Sequence, residues 1–112
     1  MSGQLVEKKS FLASSAGDNV VLTPRNGKLK IFSVIFHPNA DITGEVVIKL
    51  GDRSIAGARN PKTGAIYGFN DHPDFVEGEI GEVLKINLPS STAVTIDVAW
   101  REAPFYTRDI GD

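Results

Sequence analysis

The clearest indication of the fold is the segment Val94-Thr95-Ile96-Asp97-Val98-Ala99-Trp100. Large apolar residues occupy every second position, and threonine, aspartate and alanine lie between them. Successive side chains of a β-strand point to opposite faces, so this pattern predicts a strand with one buried and one exposed face. Residues 83–88 and 45–50 repeat it. No segment of helical length has apolar residues at a period of 3.6, and we therefore predict an all-β protein.

Turn-forming residues separate these stretches from further β-rich segments. Asn26-Gly27 is the strongest hairpin signal, because both residues tolerate the positive φ that tight hairpin turns require. Gly51-Asp52 and Gly64 mark other turns. Short strands at regular spacing favour an antiparallel β-sandwich. We predict about eight strands, over residues 5–13, 20–23, 29–37, 45–50, 54–59, 66–69, 83–88 and 93–101.

Length and composition narrow the classes of function. The 112 residues suffice for one domain with its own core. The chain has no cysteine, which excludes a disulfide framework, a thiolate zinc site and a cysteine nucleophile. Its 12 basic and 14 acidic residues are scattered, so we expect no nucleic acid partner. No apolar stretch approaches the length of a membrane span, and the first residues show no export signal.

The chain ends differ in character from the middle. Residues 1–4 are small and polar, and we predict a flexible N-terminus. Residues 5–102 form the predicted sandwich domain. Residues 103–112 lose the alternation, and Pro104 disfavours a central strand there. Because this segment still carries Phe105, Tyr106 and Ile110, we predict an extended C-terminal arm that packs on its own sheet or on a neighbouring molecule.

Residues 29–37 are apolar on both predicted faces. Leu29, Ile31, Ser33 and Ile35 share one face, and Phe32, Val34 and Phe36 share the other. This pattern predicts a central strand whose outer side is covered either by a loop or arm of the same chain or by another subunit. The hypothetical interface comprises the apolar residues of this second face and of both arms: Leu5, Val6, Phe32, Val34, Phe36, Phe105, Tyr106 and Ile110.

Candidate catalytic groups are few. Asn70-Asp71-His72-Pro73-Asp74 could hold a metal or act as an acid–base pair, but these are also turn-forming residues. Glu77, Glu79 and Glu82 lie in one glycine-spaced loop and do not predict the cleft that glycoside hydrolysis needs. The chain has no Gly-x-Ser-x-Gly elbow and no phosphate-binding loop. We predict no enzyme, no catalytic residue, no cofactor and no metal site.

The order of these pieces resembles the small jelly-roll or β-sandwich structural proteins of tailed bacteriophages. The resemblance spans roughly residues 10–101 and rests on hydrophobic positions and turns. It is carried by residues 17–22, 27–36, 45–52, 56–57, 73–75, 81–86 and 94–100. It implies a jelly-roll-like sandwich and a non-enzymatic virion protein. The first role implied is a capsid decoration or stabilising protein that binds the capsid lattice, and the other is a protein that joins head and tail parts. The implied partner is the major capsid protein or another virion protein, and the implied location is the virion, assembled in the host cytoplasm. A homo-oligomer is expected, with a trimer among the forms considered.

Two other classes of function remain open from the sequence. A carbohydrate-binding sandwich module would stack sugars on exposed aromatic side chains, and Tyr67 with Phe69 would form the platform. A small hydrolase would use the acidic loop, with Glu79 or Glu82 as the essential carboxylate.

Overall fold

The computed structural model describes residues 6–104, which form nine β-strands and no helix. None of the described residues therefore forms a helix that is long and apolar enough to cross a membrane. The strands are β1 (Glu7–Ala13), β2 (Gly17–Leu22), β3 (Gly27–Pro38), β4 (Glu45–Leu50), β5 (Arg53–Arg59), β6 (Tyr67–Asn70), β7 (Val76–Glu77), β8 (Leu84–Leu88) and β9 (Val94–Pro104).

Two antiparallel sheets face each other. The front sheet has the order β1-β9-β3-β6, and the short β7 also pairs with β3. The back sheet has the order β2-β8-β4-β5. Most connections pass from one sheet to the other, and the first strand pairs with the last while the second pairs with the eighth. This arrangement is a jelly roll, and it confirms the predicted all-β, jelly-roll-like sandwich.

The core lies between the sheets and follows the alternation that the sequence shows. In β8, Leu84, Ile86 and Leu88 point inward and are almost completely buried. The inward residues of β4 and β9 complete the central layer: Val46, Ile48, Leu50, Val94, Ile96 and Val98. Each fully buried aliphatic side chain contributes about 1.5–3 kcal/mol by leaving water.

The two-sided burial predicted for residues 29–37 is wrong in detail, because β3 contains a bulge. The register with β9 shifts between Ile31 and Ser33. Before the bulge Leu29 and Ile31 point into the core, and after it Val34 and Phe36 do. One extra residue reverses the facing of everything that follows. Both halves therefore bury their side chains in the same core.

The predicted Asn26-Gly27 hairpin is also wrong. The strands on either side of it, β2 and β3, belong to different sheets. The backbone N–H groups of Arg25 and Asn26 donate instead to the Glu102 carboxylate, at 2.7 and 3.0 Å. A tertiary contact with β9 thus fixes this turn.

The ends of the domain differ slightly from the prediction. Strand β9 continues through Ala103 and Pro104, which pair with Lys28 and Gly27. Pro104 is tolerated because β1, as described, pairs with β9 only as far as Trp100, so β9 has a neighbouring strand on one side only at this point. Any C-terminal arm therefore begins after residue 104, and residues 1–5 and 105–112 lie outside the described part of the chain.

Candidate functional site

The outer face of the back sheet carries polar side chains that are bound to one another. Asp18 Oδ1 accepts a hydrogen bond from Asn87 Nδ2 at 2.8 Å and lies 3.1 Å from Lys49 Nζ. Lys85 Nζ lies 3.8 Å from Asp18 and 3.7 Å from Asp52. The hydrogen bonds from Asn87 and Lys49 lower the pKa of Asp18 below its ordinary value. The polar and charged side chains of this water-facing surface are thus paired with one another.

The outer face of the front sheet instead contains a groove of about 790 Å³, which we name the front groove. It runs across the four strands, from the start of β1 to the loop that follows β6. Its lining residues are Val6, Lys8, Lys9, Ser10, Phe32, Ser33, Asn70, His72, Asp97, Val98 and Ala99.

Small side chains form the floor of the front groove. Strand pairing places Lys8 beside Ala99, and Ala99 beside Ser33. Ser33 in turn pairs with Asn70. The two middle members of this row are alanine and serine, so the sheet surface is low there, whereas the longer Lys8 and Asn70 side chains stand at its two ends. The row covers three strand spacings, or about 14 Å.

One wall of the front groove is aromatic. Phe32, at the β3 bulge, turns away from the core, and its ring centroid lies 5.0 Å from that of His72 and 5.7 Å from that of Phe75. The backbone N–H of Asp71 donates to the Phe32 carbonyl at 2.9 Å, which holds the loop against the strand. Phe32 is only 5% exposed because this loop covers it, whereas His72 remains exposed.

A carboxylate stands in the front groove beside a hydroxyl. Ser10 on β1 and Asp97 on β9 are paired across the strands, and the Ser10 hydroxyl donates to Asp97 Oδ1. The Asp97 side chain remains exposed. Its second carboxylate oxygen is therefore available to accept a hydrogen bond from a ligand.

A second surface of interest is the end of the sandwich where the described chain both begins and finishes, which we name the terminal end. Glu7 pairs with Trp100, and Gly27 pairs with Pro104. A cavity of about 420 Å³ opens there, and Arg25, Trp100 and Glu102 are part of its lining. Ile80 is 57% exposed in a loop whose Gly81 N–H donates to the Gly27 carbonyl.

The predicted interface residues occupy three different environments. Val6 and Phe32 both line the front groove. Val34 and Phe36 lie in the core with no exposed surface, so they offer nothing to a second chain. This part of the interface hypothesis fails because the bulge turns both side chains inward. Leu5, Phe105, Tyr106 and Ile110 lie outside the described residues.

The predicted sugar-stacking platform is wrong. Tyr67 and Phe69 are partly buried and pack against the core from the edge strand β6. The Tyr67 ring stacks on Phe36 at 5.6 Å, and its hydroxyl accepts a hydrogen bond from the Lys62 N–H at 2.9 Å. The residues of β6 that face outward are Gly68 and Asn70.

The acidic loop has a structural role. Glu82 Oε1 accepts a hydrogen bond from the Glu79 N–H at 2.7 Å and pairs with Arg53 at 3.2 Å. Its carboxylate therefore closes the loop and does not stand across a cleft from a second acid. Within residues 6–104, no three His, Asp or Glu side chains come together as a metal site would require.

No family model matches the chain, and no curated protein or solved structure matches it either. The candidate sites therefore rest on geometry alone. Sequence reasoning identified Phe32 and the loop that contains His72, but it missed Ser10 and Asp97. The signal that was present is the short outward side chain at Ser33 and at Ala99, which marks a depression on the outer face of a sheet.

Proposed function

We propose that this chain is a non-enzymatic structural protein of a bacteriophage virion, which binds the major capsid protein or another virion protein. The jelly-roll order of the strands supports the proposal, because this fold serves many proteins that assemble into particles. The fold alone does not specify a role. The order of hydrophobic positions and turns, which resembles small phage structural proteins, adds a second line of support.

The observation that carries the proposal is that the described part of the chain begins and finishes at the same end of the sandwich. Glu7, at the start of β1, pairs with Trp100, and Pro104 ends β9 nearby. Residues 1–5 and 105–112, which include Leu5, Phe105 and Tyr106, continue the chain from these two points, and Ile80 is exposed at the same end. Apolar and aromatic anchors of this kind dominate binding energies when they fill pockets on a partner.

Binding at this end would be strengthened by the number of identical copies that bind at once. A virion offers many identical sites, and a homo-oligomer of this chain would present several pairs of arms at once. Modest contacts per copy then give a high overall avidity. A trimer fits this scheme, as do other symmetric forms.

The test compares the full chain with a version that ends at Pro104, in co-sedimentation with purified particles of the phage that carries the gene. The shortened version keeps all nine strands, so it should fold and yet lose particle binding. Ile66→Ser is the control, because Ile66 is 71% exposed at the opposite end of the sandwich. Equal binding of the shortened chain, or absence of the protein from purified particles, contradicts the proposal.

A further inference from the structure

We propose that the front groove binds a neutral oligosaccharide, with Asp97, Asn70 and Lys8 as hydrogen-bonding residues and His72 as a stacking surface. This site lies on the outer side of the front sheet, whereas the proposed virion contact lies at the terminal end. The two proposals are therefore independent. It also differs from the Tyr67 and Phe69 platform that the sequence predicts, since those side chains face the core.

The polar groups of the front groove are largely uncommitted. Among residues 6–104, Ser10 bonds to Asp97 and Lys9 donates to the Val21 carbonyl at 3.1 Å, whereas the structure shows no side-chain hydrogen bond or ion pair for Lys8, Asn70 or His72. On the back sheet, by contrast, Asp18 is held by Asn87, Lys49 and Lys85. Convergent polar groups in a concave site, without side-chain partners among residues 6–104, are the groups that fix a ligand's orientation.

The chemistry of these groups points to a neutral polyhydroxylated ligand. The Asp97 carboxylate only accepts hydrogen bonds, the Lys8 ammonium only donates them, and the Asn70 amide does both. A sugar hydroxyl also does both, so a row of hydroxyls matches all three groups. Asp97 would repel an anionic ligand and Lys8 a cationic one, while a purely apolar ligand would leave all three desolvated without partners.

The shape of the groove agrees with this class of ligand. Its floor is low along the row from Lys8 to Asn70, a length of about 14 Å that suits more than one sugar ring. The exposed His72 ring, supported from beneath by Phe32 at 5.0 Å, offers an apolar surface to the C–H face of a sugar. An oligosaccharide therefore fits better than a single sugar.

The experiment screens the full-length protein on an array of neutral and anionic oligosaccharides and measures each hit by isothermal titration calorimetry. Asp97→Asn and Asn70→Ala should each weaken binding by tenfold or more, because a hydrogen bond to a charged or amide group is lost. Glu45→Gln is the matched control, since it changes a carboxylate to an amide on the exposed back face. Ala99→Leu should abolish binding by filling the floor while leaving the polar groups intact.

Circular dichroism of each variant distinguishes loss of binding from loss of folding. The proposal is overturned if no neutral glycan binds at millimolar concentration, if anionic glycans bind better, or if Asp97→Asn binds as well as Glu45→Gln. Removal of residues 105–112 should leave glycan binding unchanged. A failure of the groove can thus be told apart from a failure of the proposed virion contact.

Discussion

At the scale of single residues, Gly68 is, among the positive-φ glycines of residues 6–104, the one at which an added Cβ would come nearest to another atom. It lies in β6 with a φ of +116°, and a Cβ at this position would overlap the carbonyl oxygen of Val34 in the neighbouring strand. We predict that Gly68→Ala lowers the free energy of unfolding by about 3–5 kcal/mol, because β6 must move away from β3. Urea denaturation measures the loss.

Gly64→Ala separates backbone strain from overlap in that measurement. Gly64 also has a positive φ, of +89°, but a Cβ there would meet nothing within 4 Å. Strain alone should cost about 1–2 kcal/mol. Equal losses for the two variants would show that β6 adapts and that the close approach to β3 carries no cost.

The lowered pKa of Asp18 predicts how the free energy of unfolding depends on pH. Its pKa is lowered first by the hydrogen bond from Asn87 and then by that from Lys49. A lowered pKa in the folded state means that the ionised carboxylate stabilises the fold above its unfolded pKa of about 3.8. That contribution is lost as the pH falls through the folded pKa.

We therefore predict that Asn87→Ala makes the free energy of unfolding fall less steeply between about pH 5 and pH 2, because it removes the largest cause of the shift. Urea titrations at several pH values measure the slope. Asp41, whose pKa is lowered by the backbone N–H of Thr63, retains its own contribution in this variant. An unchanged slope would mean that the hydrogen bond from Asn87 does not keep the pKa of Asp18 low.

At the scale of elements, the bulge in β3 sets which residues form the core. Without Phe32, the order Leu29-Lys30-Ile31-Ser33-Val34 alternates regularly, with the same residues inward as in the bulged strand. We predict that deletion of Phe32 leaves the sandwich folded. The expected cost is about 1.5–3 kcal/mol, for the lost contacts with the covering loop. The emission of Trp100, which pairs with Ile31, reports on this part of the sheet.

Deletion of Lys30 is the matched comparison. It also removes one residue from β3, but it would place Phe32 inward and turn Ile31 to the outside. Overpacking in the core and exposure of Ile31 should then cost at least about 2 kcal/mol more than deletion of Phe32. Similar unfolding midpoints for the two deletions would mean that the bulge does not govern side-chain facing.

At the scale of the whole molecule, residues 6 and 104 lie at the same end of the sandwich because the first strand pairs with the last. We predict that a circular permutant, with residues 6 and 104 joined by a flexible linker and new ends between Ser90 and Ser91, folds cooperatively. Both serines lie in an exposed loop between β8 and β9. Its stability should lie within about 1 kcal/mol of the parent, since closure of a short linker costs little.

A second permutant, opened between Ile48 and Lys49, tests the importance of a central strand. β4 pairs with both β5 and β8, and Ile48 is completely buried. This version should fail to give a cooperative thermal transition in circular dichroism. If it unfolds like the parent, the continuity of the back sheet is not needed for folding.

The class of the fold and most of the strands could be predicted from the sequence. The inward positions of β4, β8 and β9 were predictable because alternation is a local property: each side chain's facing follows from its neighbours along the chain. The predicted strand over residues 45–50 matches β4 without change. The two-residue β7 was missed because so short a segment carries no period.

Tertiary structure alone decided which sheet each strand joins, where β3 bulges and where the front groove lies. Ser10, Asn70 and Asp97 line the same groove only because β1, β3, β6 and β9 lie side by side. Glu7 and Trp100 are far apart in the chain, yet they are neighbours in the sheet. Strand pairing depends on the packing of the whole core, and a local pattern carries no information about a partner that is distant in sequence.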